Sequence, residues 1–194
     1  MDSRNLNRRN FLGGFALAIT GAGAAVWLGS PSLRAVGASA NADAGTVTVI
    51  GFSDAGKPTG AVQVARVRHT DEEWKQKLTA DQFLITRKMG TERPYSGEYA
   101  ESTGVGLYRC VCCNNALFSS VTKFESGTGW PSFWAPAAKE NVRNTEDRSL
   151  GETRTEVACT QCDAHLGHVF HDGPKPTGLR YCMNSLALRF VKRS

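Results

Sequence analysis

The stretch CTQCDAHLGHVFHDGPKPTGLRYCMNSLALRF, residues 159–190, holds most of the side chains in this chain that can carry out chemistry. A CxxC pair opens it, a turn with the sequence DGPKPTG divides it, and the extended segment LRYCMNS lies near its end. It contains three of the four histidines and three of the six cysteines: His165, His168, His171, Cys159, Cys162 and Cys182. Thiols and imidazoles gathered in this way indicate redox or metal chemistry.

An alternating pattern near the end of this stretch predicts a strand with one reactive face. Arg180, Cys182 and Asn184 alternate with other residues, and residues two apart in a strand point to the same side. A guanidinium two residues from a thiol, with His165 and His168 supplied from earlier in the stretch, is typical of a thiol with a lowered pKa. We therefore interpret Cys182 as the nucleophile of a redox enzyme.

The charge balance argues against nucleic acid as a partner. The 194 residues carry a formal net charge of +5. The first 40 residues contribute four arginines and one aspartate, which leaves 19 basic and 17 acidic side chains, a net charge of +2, in the rest of the chain. So small an excess does not build a basic face. About 150 residues are enough for one domain with its own core.

Residues 1–40 have the three-part layout of an export signal. A polar, positive start is followed by an apolar run over residues 11–28 and by the small residues ASA at 38–40. The sequence NRRNFLGG (7–14) resembles the twin-arginine export motif, which implies the twin-arginine translocation machinery as a partner. The segment is either cleaved after Ala40 or kept as a membrane anchor. Both alternatives predict a periplasmic or otherwise extracytoplasmic location.

The remaining sequence predicts a β core preceded by short helices. TVTVIGF (46–52) and AVQVARV (61–67) predict a hairpin in an N-terminal extension, residues 41–70. The sequence DEEWKQKL predicts a helix capped by Thr70 or Asp71, and TADQFLITRK predicts either a second helix, capped by Thr79, or a strand. Further strands are predicted at 107–110, 116–118, 153–158 and 186–191.

Two CxxC pairs, Cys110 with Cys113 and Cys159 with Cys162, predict a tetrahedral metal site. Four thiolates at about 2.3 Å from one ion favour zinc, with iron as a possible substitute. The ion would join two β segments that are distant in sequence and would be part of the folded structure.

Other interpretations of the two pairs remain open. They could belong to a zinc ribbon for nucleic acid, which the charge disfavours, or could form two disulfides in an oxidising compartment. They could also be thioredoxin-like redox pairs, although no βαβ pattern surrounds either. Cys112 lies inside the first pair, and we interpret it as a spare thiol that is not a ligand.

Six motifs resemble those of the B-type methionine sulfoxide reductases. They are TERPYSG (91–97), the CxxC before Leu117-Phe118, SGTGWPSFW (126–134), CxxCDAHLGHVF, DGPKPTG and LRYCMNS. They place a reductase domain in residues 71–194. The resemblance implies two antiparallel sheets with short N-terminal helices. It also implies one structural zinc ion per chain, remote from the catalytic face.

The resemblance further implies reduction of methionine-R-sulfoxide, free or in proteins, to methionine (EC 1.8.4.12), a repair of exported proteins after oxidative stress. Cys182 would attack the sulfoxide sulfur and become a sulfenic acid. His168, with His165 beside it, would protonate the departing oxygen.

The same resemblance implies supporting roles. Asp172, Arg180 and Asn184 would hold the imidazoles, the thiolate and the polarised oxygen. From its position in the sequence, Asp172 can either orient an imidazole or pair with Arg180. Trp130 would pack against the ε-methyl group of the substrate and select one epimer.

Thr128 predicts how the sulfenic acid returns to a thiol. Many members of the family place a resolving cysteine at this point of the loop, and threonine cannot form a disulfide. We therefore predict a one-cysteine mode, in which an external thiol reductant attacks Cys182 directly. The reductant would be a thioredoxin-like protein or a membrane relay.

Two other functions fit parts of the sequence. One is a non-catalytic zinc-binding β module that docks oxidised proteins or thiol partners. The other is an enzyme that reduces a different small sulfoxide or disulfide. Replacement of Cys182 by serine separates the enzymes from the binding module, and activity on the two sulfoxide epimers separates the enzymes from each other.

Overall fold

A computed structural model of the protein describes residues 45–53, 55–149, 151 and 153–193. The export signal predicted for residues 1–40 lies outside the described residues. Within them, no helix is both long and apolar enough to cross a membrane.

The described residues form strands that pair in antiparallel sheets. The strands are β1 (Thr46–Phe52), β2 (Pro58–Ala65), β3 (Gly106–Cys110), β4 (Ala116–Ser119), β5 (Lys123–Phe124), β6 (Ser132–Phe133), β7 (Val142–Asp147), β8 (Arg154–Cys159), β9 (His165–Phe170), β10 (Arg180–Met183) and β11 (Leu188–Lys192). Strands β1 and β2 form a hairpin. A three-stranded sheet has the order β11-β3-β4, and a six-stranded sheet has the order β5-β6-β10-β9-β8-β7.

The core lies between the three-stranded and six-stranded sheets. Tyr108 and Phe118 come from the first sheet and Phe133 and Tyr181 from the second, and all four are buried. The Phe118 and Phe133 rings stack with centroids 4.5 Å apart. Large aromatic side chains bury enough apolar surface to dominate the energetics of such a core. Because Tyr181 points into it, its neighbour Cys182 points to the outer face of the six-stranded sheet.

Two short helices lie in the chain between the hairpin and the strands of the two larger sheets. Helix α1 (Asp71–Lys77) begins with a capping box between Thr70 and Glu73, and helix α2 (Ala80–Lys88) begins with one between Thr79 and Gln82. Each box satisfies backbone N–H groups that the first turn of a helix leaves free. Trp74, Leu78 and Phe83 form a small apolar cluster under the helices.

The buried side-chain amide of Asn141 connects the hairpin to the rest of the fold by hydrogen bonds. Asn141, fully buried, accepts a hydrogen bond from the Ile50 N–H at 2.7 Å and donates to the Ile50 carbonyl at 2.9 Å. It also donates to the carbonyl of Ala116 at 2.7 Å. A second tie is the ion pair of Arg66 with Asp163, whose closest atoms are 3.0 Å apart.

These elements confirm the mainly β fold with short N-terminal helices. The segment TADQFLITRK is a helix rather than a strand, because Thr79 provides a capping box and Phe83 has a buried site on that helix. The hairpin is a separate two-stranded sheet beside the two predicted sheets. The strand predicted at 186–191 begins later, at Leu188, after a 3-10 turn over Ser185–Ala187.

Candidate active site and metal centre

Two equivalent turns hold the CxxC pairs. In the first, the Asn114 N–H donates to the Cys110 carbonyl at 2.9 Å, and in the second the Asp163 N–H donates to the Cys159 carbonyl at 2.9 Å. Asn114 and Asp163 both have positive φ, 65° and 55°, a conformation in which Asn and Asp are enriched. The two knuckles therefore present their sulfurs in the same way.

The four sulfurs of these knuckles form a compact cluster of a size that fits one metal ion. The Sγ atoms of Cys110 and Cys162 are 3.6 Å apart, as are those of Cys113 and Cys159, and all four lie within 4.8 Å of one another. A tetrahedron with metal–sulfur bonds of about 2.3 Å has edges of about 3.8 Å. The cysteines are free thiols, an arrangement that suits a metal site and not two disulfides.

A neighbouring amide supports this cluster. Asn115, which is buried, points its Nδ2 at the Cys159 Sγ at 3.6 Å and at the Asn141 carbonyl at 3.1 Å. Amide donors to a thiolate orient it and moderate its charge. Cys112 is half-buried and does not belong to the four-sulfur cluster, in agreement with its interpretation as a spare thiol.

The side chains of Glu156, His168, Cys182 and Ser132 form a row across the outer face of the six-stranded sheet. His168 on β9 lies opposite Glu156 on β8 and opposite Cys182 on β10. Cys182 in turn lies opposite Ser132 on β6. Opposed residues of antiparallel strands have Cβ atoms about 4.5–5.5 Å apart and point to the same side. A carboxylate, an imidazole, a thiol and a hydroxyl therefore follow one another across four strands.

A small pocket opens over this row. Its volume is about 150 Å³, a size suited to one side chain and well below that of a typical ligand pocket. Four of the predicted site residues line it: Trp130, His168, Cys182 and Asn184. The lining is completed by Thr91, Arg154, Gly167, Phe170 and Met183. The four sulfurs of the metal cluster are not part of the lining and pack with the core on the other side of the sheet.

Gly167 allows β9 and β10 to approach closely beside the pocket. A Cβ at this position would lie 2.1 Å from the carbonyl oxygen of Cys182, far inside van der Waals contact. Any side chain here would push apart the two strands that carry His168 and Cys182.

His168 is oriented by a carboxylate that no motif in the sequence indicates. Its Nε2 lies 2.8 Å from Oδ2 of Asp147, and Arg154 donates to the same oxygen at 2.6 Å. Hydrogen bonds from Ser149, then from His168 and Arg154, hold the pKa of Asp147 well below its usual range. An ionised carboxylate only accepts, so Nε2 carries the proton and Nδ1 of the neutral ring is the free acceptor.

The environment keeps His168 neutral at physiological pH. Burial lowers the pKa of its imidazole, and the hydrogen bond to Asp147 opposes this only in part. The positive charge of Arg154 and the nearby His165 lower the same pKa further.

His165 lies behind His168 and does not line the pocket. Its ring meets that of His168 edge to face with centroids 5.3 Å apart, and its Nδ1 is 2.9 Å from Oε1 of Glu156. Its Nε2 is buried without a partner among the described residues. The position suits a residue that packs against the acid–base group, not one that contacts substrate.

Of the two roles open to Asp172, the structure shows the pairing with Arg180 and not the orientation of an imidazole. Asp172 pairs with Arg180 through two parallel bonds, Nε to Oδ1 at 2.9 Å and Nη2 to Oδ2 at 2.8 Å. The Arg180 guanidinium also lies over the ring of Phe170, 4.5 Å from its centroid. Both contacts fix the guanidinium beside Cys182. The imidazoles are held instead by Asp147 and Glu156.

The surroundings of the Cys182 thiol favour its neutral form, in contrast to the lowered pKa that Arg180 led us to expect. Burial raises its pKa above the ordinary value. The Arg180 guanidinium and hydrogen bonds with the hydroxyls of Thr128 and Ser132 oppose the rise without cancelling it. Alternation along a strand predicts a neighbouring charge but not the depth of burial.

Glu92 ties together two sides of the pocket. Its buried carboxylate accepts from the backbone N–H groups of Ser185 at 2.6 Å and Leu186 at 3.0 Å. Its backbone N–H donates to Oδ1 of Asn184 at 3.0 Å, and its carbonyl accepts from Nε1 of Trp130 at 3.1 Å. The TERPYSG motif contains Glu92, but no spacing rule connects it to residues some 90 positions away.

The arrangement can perform one kind of chemistry well. A neutral thiol lies opposite a neutral imidazole with a free nitrogen, in a pocket large enough for one substrate side chain. The half-buried indole of Trp130 forms one wall of this pocket. Such a pair can pass a proton from sulfur to a substrate atom while the sulfur attacks.

Comparison with known proteins points to a family. The family described as "SelR domain" matches residues 78–192. A curated relative named peptide methionine sulfoxide reductase MsrB, from Hahella chejuensis, is 55% identical over 125 residues, 64% of this chain and 90% of the relative. One of the same name from Pseudomonas syringae pv. syringae is 55% identical over 129 residues, 66% of this chain and 98% of the relative. Peptide methionine sulfoxide reductase B1, chloroplastic, from Oryza sativa subsp. japonica is 56% identical over 124 residues, 63% of this chain and 58% of the relative.

Proposed function

From the premise that the chain belongs to the SelR domain family of B-type methionine sulfoxide reductases, we propose that Cys182 reduces methionine-R-sulfoxide by taking its oxygen. The chain is an enzyme, a peptide-methionine (R)-S-oxide reductase (EC 1.8.4.12), which reduces methionine sulfoxide with thiols. The observation that carries the role of Cys182 is its position opposite His168 at the base of a pocket for one side chain.

The first half of the reaction balances without any other reagent. The sulfur of Cys182 attacks the sulfoxide sulfur, the sulfur–oxygen bond of the substrate breaks, and the oxygen ends on the cysteine. The products are methionine and a sulfenic acid, and the hydrogen of the thiol is retained as the O–H of that acid.

His168 moves the proton in this scheme. Its free Nδ1 takes the proton from the thiol and delivers it to the sulfoxide oxygen, which leaves only when protonated. The transient imidazolium is stabilised by Asp147, which accepts from Nε2 at 2.8 Å. A raised thiol pKa and a lowered imidazole pKa move the two proton affinities apart. The proton therefore stays on sulfur at rest, and His168 passes it on only when the sulfoxide oxygen is in place to receive it.

Trp130 and Arg180 position the reacting groups. The indole lines the pocket and is anchored to the Glu92 carbonyl, so it offers a rigid wall to the ε-methyl group and makes the R epimer the one that places oxygen near His168. Arg180, held by Asp172, stabilises negative charge as it develops on sulfur.

A thiol donor completes the cycle. Two donor thiols reduce the sulfenic acid to a thiol and release water and a disulfide of the donor. Thr128 stands in the loop next to Cys182, and a hydroxyl cannot form a mixed disulfide. Cys112 packs on the opposite side of the sheet, against the core. Both positions support direct attack by an external donor, a thioredoxin-like protein or a membrane relay.

The four-cysteine cluster would hold zinc. Cys110, Cys113, Cys159 and Cys162 supply thiolates only, and their spacing suits the tetrahedron that zinc prefers. Bound zinc would act structurally, by joining the two knuckles. The four cysteines do not line the pocket, which argues against a catalytic role for the ion.

Export through the twin-arginine pathway remains part of the proposal. Its support is the sequence NRRNFLGG followed by an apolar run and ASA at 38–40. The enzyme would then repair oxidised proteins outside the cytoplasm, in the periplasm or attached to the membrane by an uncleaved leader.

The decisive experiment assays the purified domain with dithiothreitol on both sulfoxide epimers. The enzyme is expected to reduce only the R epimer, and Cys182→Ser to abolish that activity without changing the circular dichroism spectrum. Cys112→Ser is the matched control because it removes a cysteine outside the pocket. Equal rates on both epimers, or full activity of Cys182→Ser, would overturn the assignment.

A further inference from the structure

A groove lies next to the catalytic pocket, between helix α2 and the TERPYSG segment (91–97). Its volume is about 520 Å³, against about 150 Å³ for the pocket. Leu84 and Ile85 from the helix and Leu186 from the turn before β11 supply its apolar lining. The reaction proposed above uses only the pocket and gives this groove no role.

Two residues connect the groove to the catalytic pocket. Thr91 lines both of them. Glu92 lines the groove, and its carbonyl accepts a hydrogen bond at 3.1 Å from Nε1 of Trp130, which lines the pocket. The position of Glu92 is fixed, because its buried carboxylate accepts from the backbone N–H groups of Ser185 and Leu186. The groove is therefore a preformed continuation of the substrate pocket.

A methionine sulfoxide within a protein brings its neighbours to this part of the surface. The pocket has room for one side chain, so the main chain of such a substrate must remain at its mouth. In an extended segment, residues two apart point to the same side and lie about 7 Å from each other. When the methionine sulfoxide enters the pocket, the side chain two positions before or after it therefore faces the enzyme, whereas its immediate neighbours point away.

We propose that the groove binds an apolar side chain of a protein substrate, two positions from the methionine sulfoxide that Cys182 reduces. This inference rests on the proposed function of the pocket and adds to it a preference for the sequence around the oxidised residue. Leu84, Ile85 and Leu186 would contact the apolar side chain. Thr91, which the groove shares with the pocket, would lie beside the main chain that joins the two substrate residues.

The exposed apolar surface of the groove favours an apolar occupant. Leu84 is 53% exposed on helix α2, while Ile85 is buried and Leu186 is half-buried. Contact with another apolar side chain would remove the Leu84 surface from water, which is favourable. Three of the six large hydrophobic side chains that are exposed in the described part of the chain, Leu84, Met89 and Tyr95, belong to the stretch that borders the groove. Apolar surface concentrated in this way is typical of a binding site.

The charged side chains of the groove do not favour a charged occupant. Two are acidic, Asp81 and Glu92, and two are basic, Lys88 and Arg93, so neither sign is in excess. Lys88 forms an ion pair with Asp71, and the Glu92 carboxylate is used by two backbone N–H groups. A charged substrate side chain would lose water here without meeting a surplus of the opposite charge.

The test measures kcat/KM on synthetic heptapeptides, with dithiothreitol as the reductant. Each peptide has blocked ends, methionine-R-sulfoxide at its centre, and glycine elsewhere except for one leucine, serine or glutamate two positions before or after the centre. At one of these two positions, the leucine peptide is expected to exceed the serine peptide about tenfold in kcat/KM, through a lower KM, because part of a leucine side chain is buried. Leucine directly next to the methionine sulfoxide should give no such gain, since it points away from the groove.

Variants of Leu84 assign the preference to the groove. Leu84→Gln replaces an exposed apolar side chain by a polar one of similar helix propensity, and it should lower the leucine-to-serine ratio from about tenfold to about twofold. Leu84→Met should retain the native ratio. The matched control is Val121→Gln, which changes an exposed apolar residue that lines neither the pocket nor the groove.

Three results would overturn the proposal. One is an unchanged leucine-to-serine ratio in Leu84→Gln. Another is a preference for the glutamate peptide over the leucine peptide, which would indicate a charged occupant. The third is a Leu84→Gln variant that is impaired only when a thioredoxin-like protein replaces dithiothreitol, which would indicate that the groove binds the thiol donor.

A binding measurement separates this proposal from the proposed function. Methyl NMR spectra of Cys182→Ser are recorded with the leucine peptide and with the serine peptide, and only the leucine peptide is expected to shift the methyl signals of Leu84, Ile85 and Leu186. Absence of these shifts while the native enzyme reduces the peptide would overturn the role of the groove and leave the reductase function intact. Shifts without any reduction would count against the reductase function and not against the groove, and absence of both would overturn both.

Discussion

His168 and Cys182 lie directly opposite each other on antiparallel strands β9 and β10. The pairing places an imidazole next to a thiol on the outer face of the sheet, and Gly167 permits the close approach of the two strands. Burial shifts the two pKa values in opposite directions, up for the thiol and down for the imidazole. The resting site is therefore a neutral thiol opposite a neutral imidazole, and several measurable properties depend on it.

The Asp147→Asn variant should impair catalysis because the carboxylate determines which ring nitrogen of His168 carries the proton. An amide can donate to Nε2 and leave Nδ1 protonated, so that Nδ1 can no longer accept from the thiol. We expect kcat to fall about 100-fold or more, with a small change in KM. Glu146→Gln, an exposed neighbour on the same strand, is the control. A native kcat for Asp147→Asn would contradict the proton path.

The pH profile should be broad. Activity requires neutral His168, whose pKa lies below the ordinary 6.5, so the acid side of the profile should fall below pH 6.5. It also requires the proton of Cys182, whose pKa lies above the ordinary 9.0, so the alkaline side should fall above pH 9. We expect kcat/KM with dithiothreitol to be nearly flat between these values. A maximum near pH 6 with half-activity at pH 7.5 would argue against a neutral pair.

The Glu92→Gln variant should loosen the pocket. Each oxygen of the carboxylate accepts a hydrogen bond from one backbone N–H group. The amide of glutamine has a single oxygen and can accept only one of these two bonds. One buried donor would be left without a partner, at a cost of about 1–3 kcal/mol in unfolding free energy. Because Trp130 and Asn184 are anchored to the same residue, KM for R-sulfoxide should rise and epimer selectivity should decrease. Exposed Glu98 provides the control, as Glu98→Gln, and equal selectivity in both variants would contradict the anchoring role.

Metal removal should destabilise the fold more than it affects the chemistry. The Cys110→Ser variant, or prolonged treatment with a chelator, is expected to release one zinc ion per chain and to lower the thermal midpoint by on the order of 10 °C. The matched variant Cys112→Ser should retain the metal because its sulfur is outside the cluster. Metal analysis and calorimetry of the two variants test this. A stoichiometry of zero in the native protein would favour another role for the four cysteines.

Turnover should not depend on a second cysteine. With a thioredoxin-like donor, Cys112→Ser is expected to keep its native steady-state rate, because Cys112 packs against the core on the opposite side of the sheet from Cys182. A rapid-quench experiment without donor should yield about one methionine per enzyme molecule, with the sulfenic acid trapped by dimedone. Loss of turnover with preserved single-turnover chemistry in Cys112→Ser would show that Cys112 resolves the intermediate.

Much of the local structure follows from local sequence rules. Thr70 or Asp71 was predicted to cap the first helix, and in the structure Thr70 caps it through a capping box with Glu73. Alternation predicted that Arg180 and Cys182 share a face, and both lie on the outer face of β10. The two CxxC pairs come together as four sulfurs because each knuckle is a complete local turn.

The partners of the site residues could not be derived in this way. Asp147 and Glu156 reach the histidines from other strands, and Glu92 reaches Asn184 across 92 positions of sequence. Nothing local distinguishes these carboxylates from the exposed ones. Asp172, close in sequence to the histidines, could orient an imidazole or pair with Arg180. It pairs with Arg180 because that side chain lies beside it across the turn between β9 and β10.

The sequence by itself determined which groups are available: one unpaired thiol on a strand, the histidines before it, the four metal-binding cysteines and the aromatic loop. Only the tertiary structure decided their protonation and order in space. Strand register places His168 between Glu156 and Cys182 and places Ser132 on the far side of the sulfur. Desolvation depends on everything packed around a group. It raises the pKa of the Cys182 thiol, whereas Arg180, the charged residue nearest to it in sequence, predicted a lowered pKa and a thiolate.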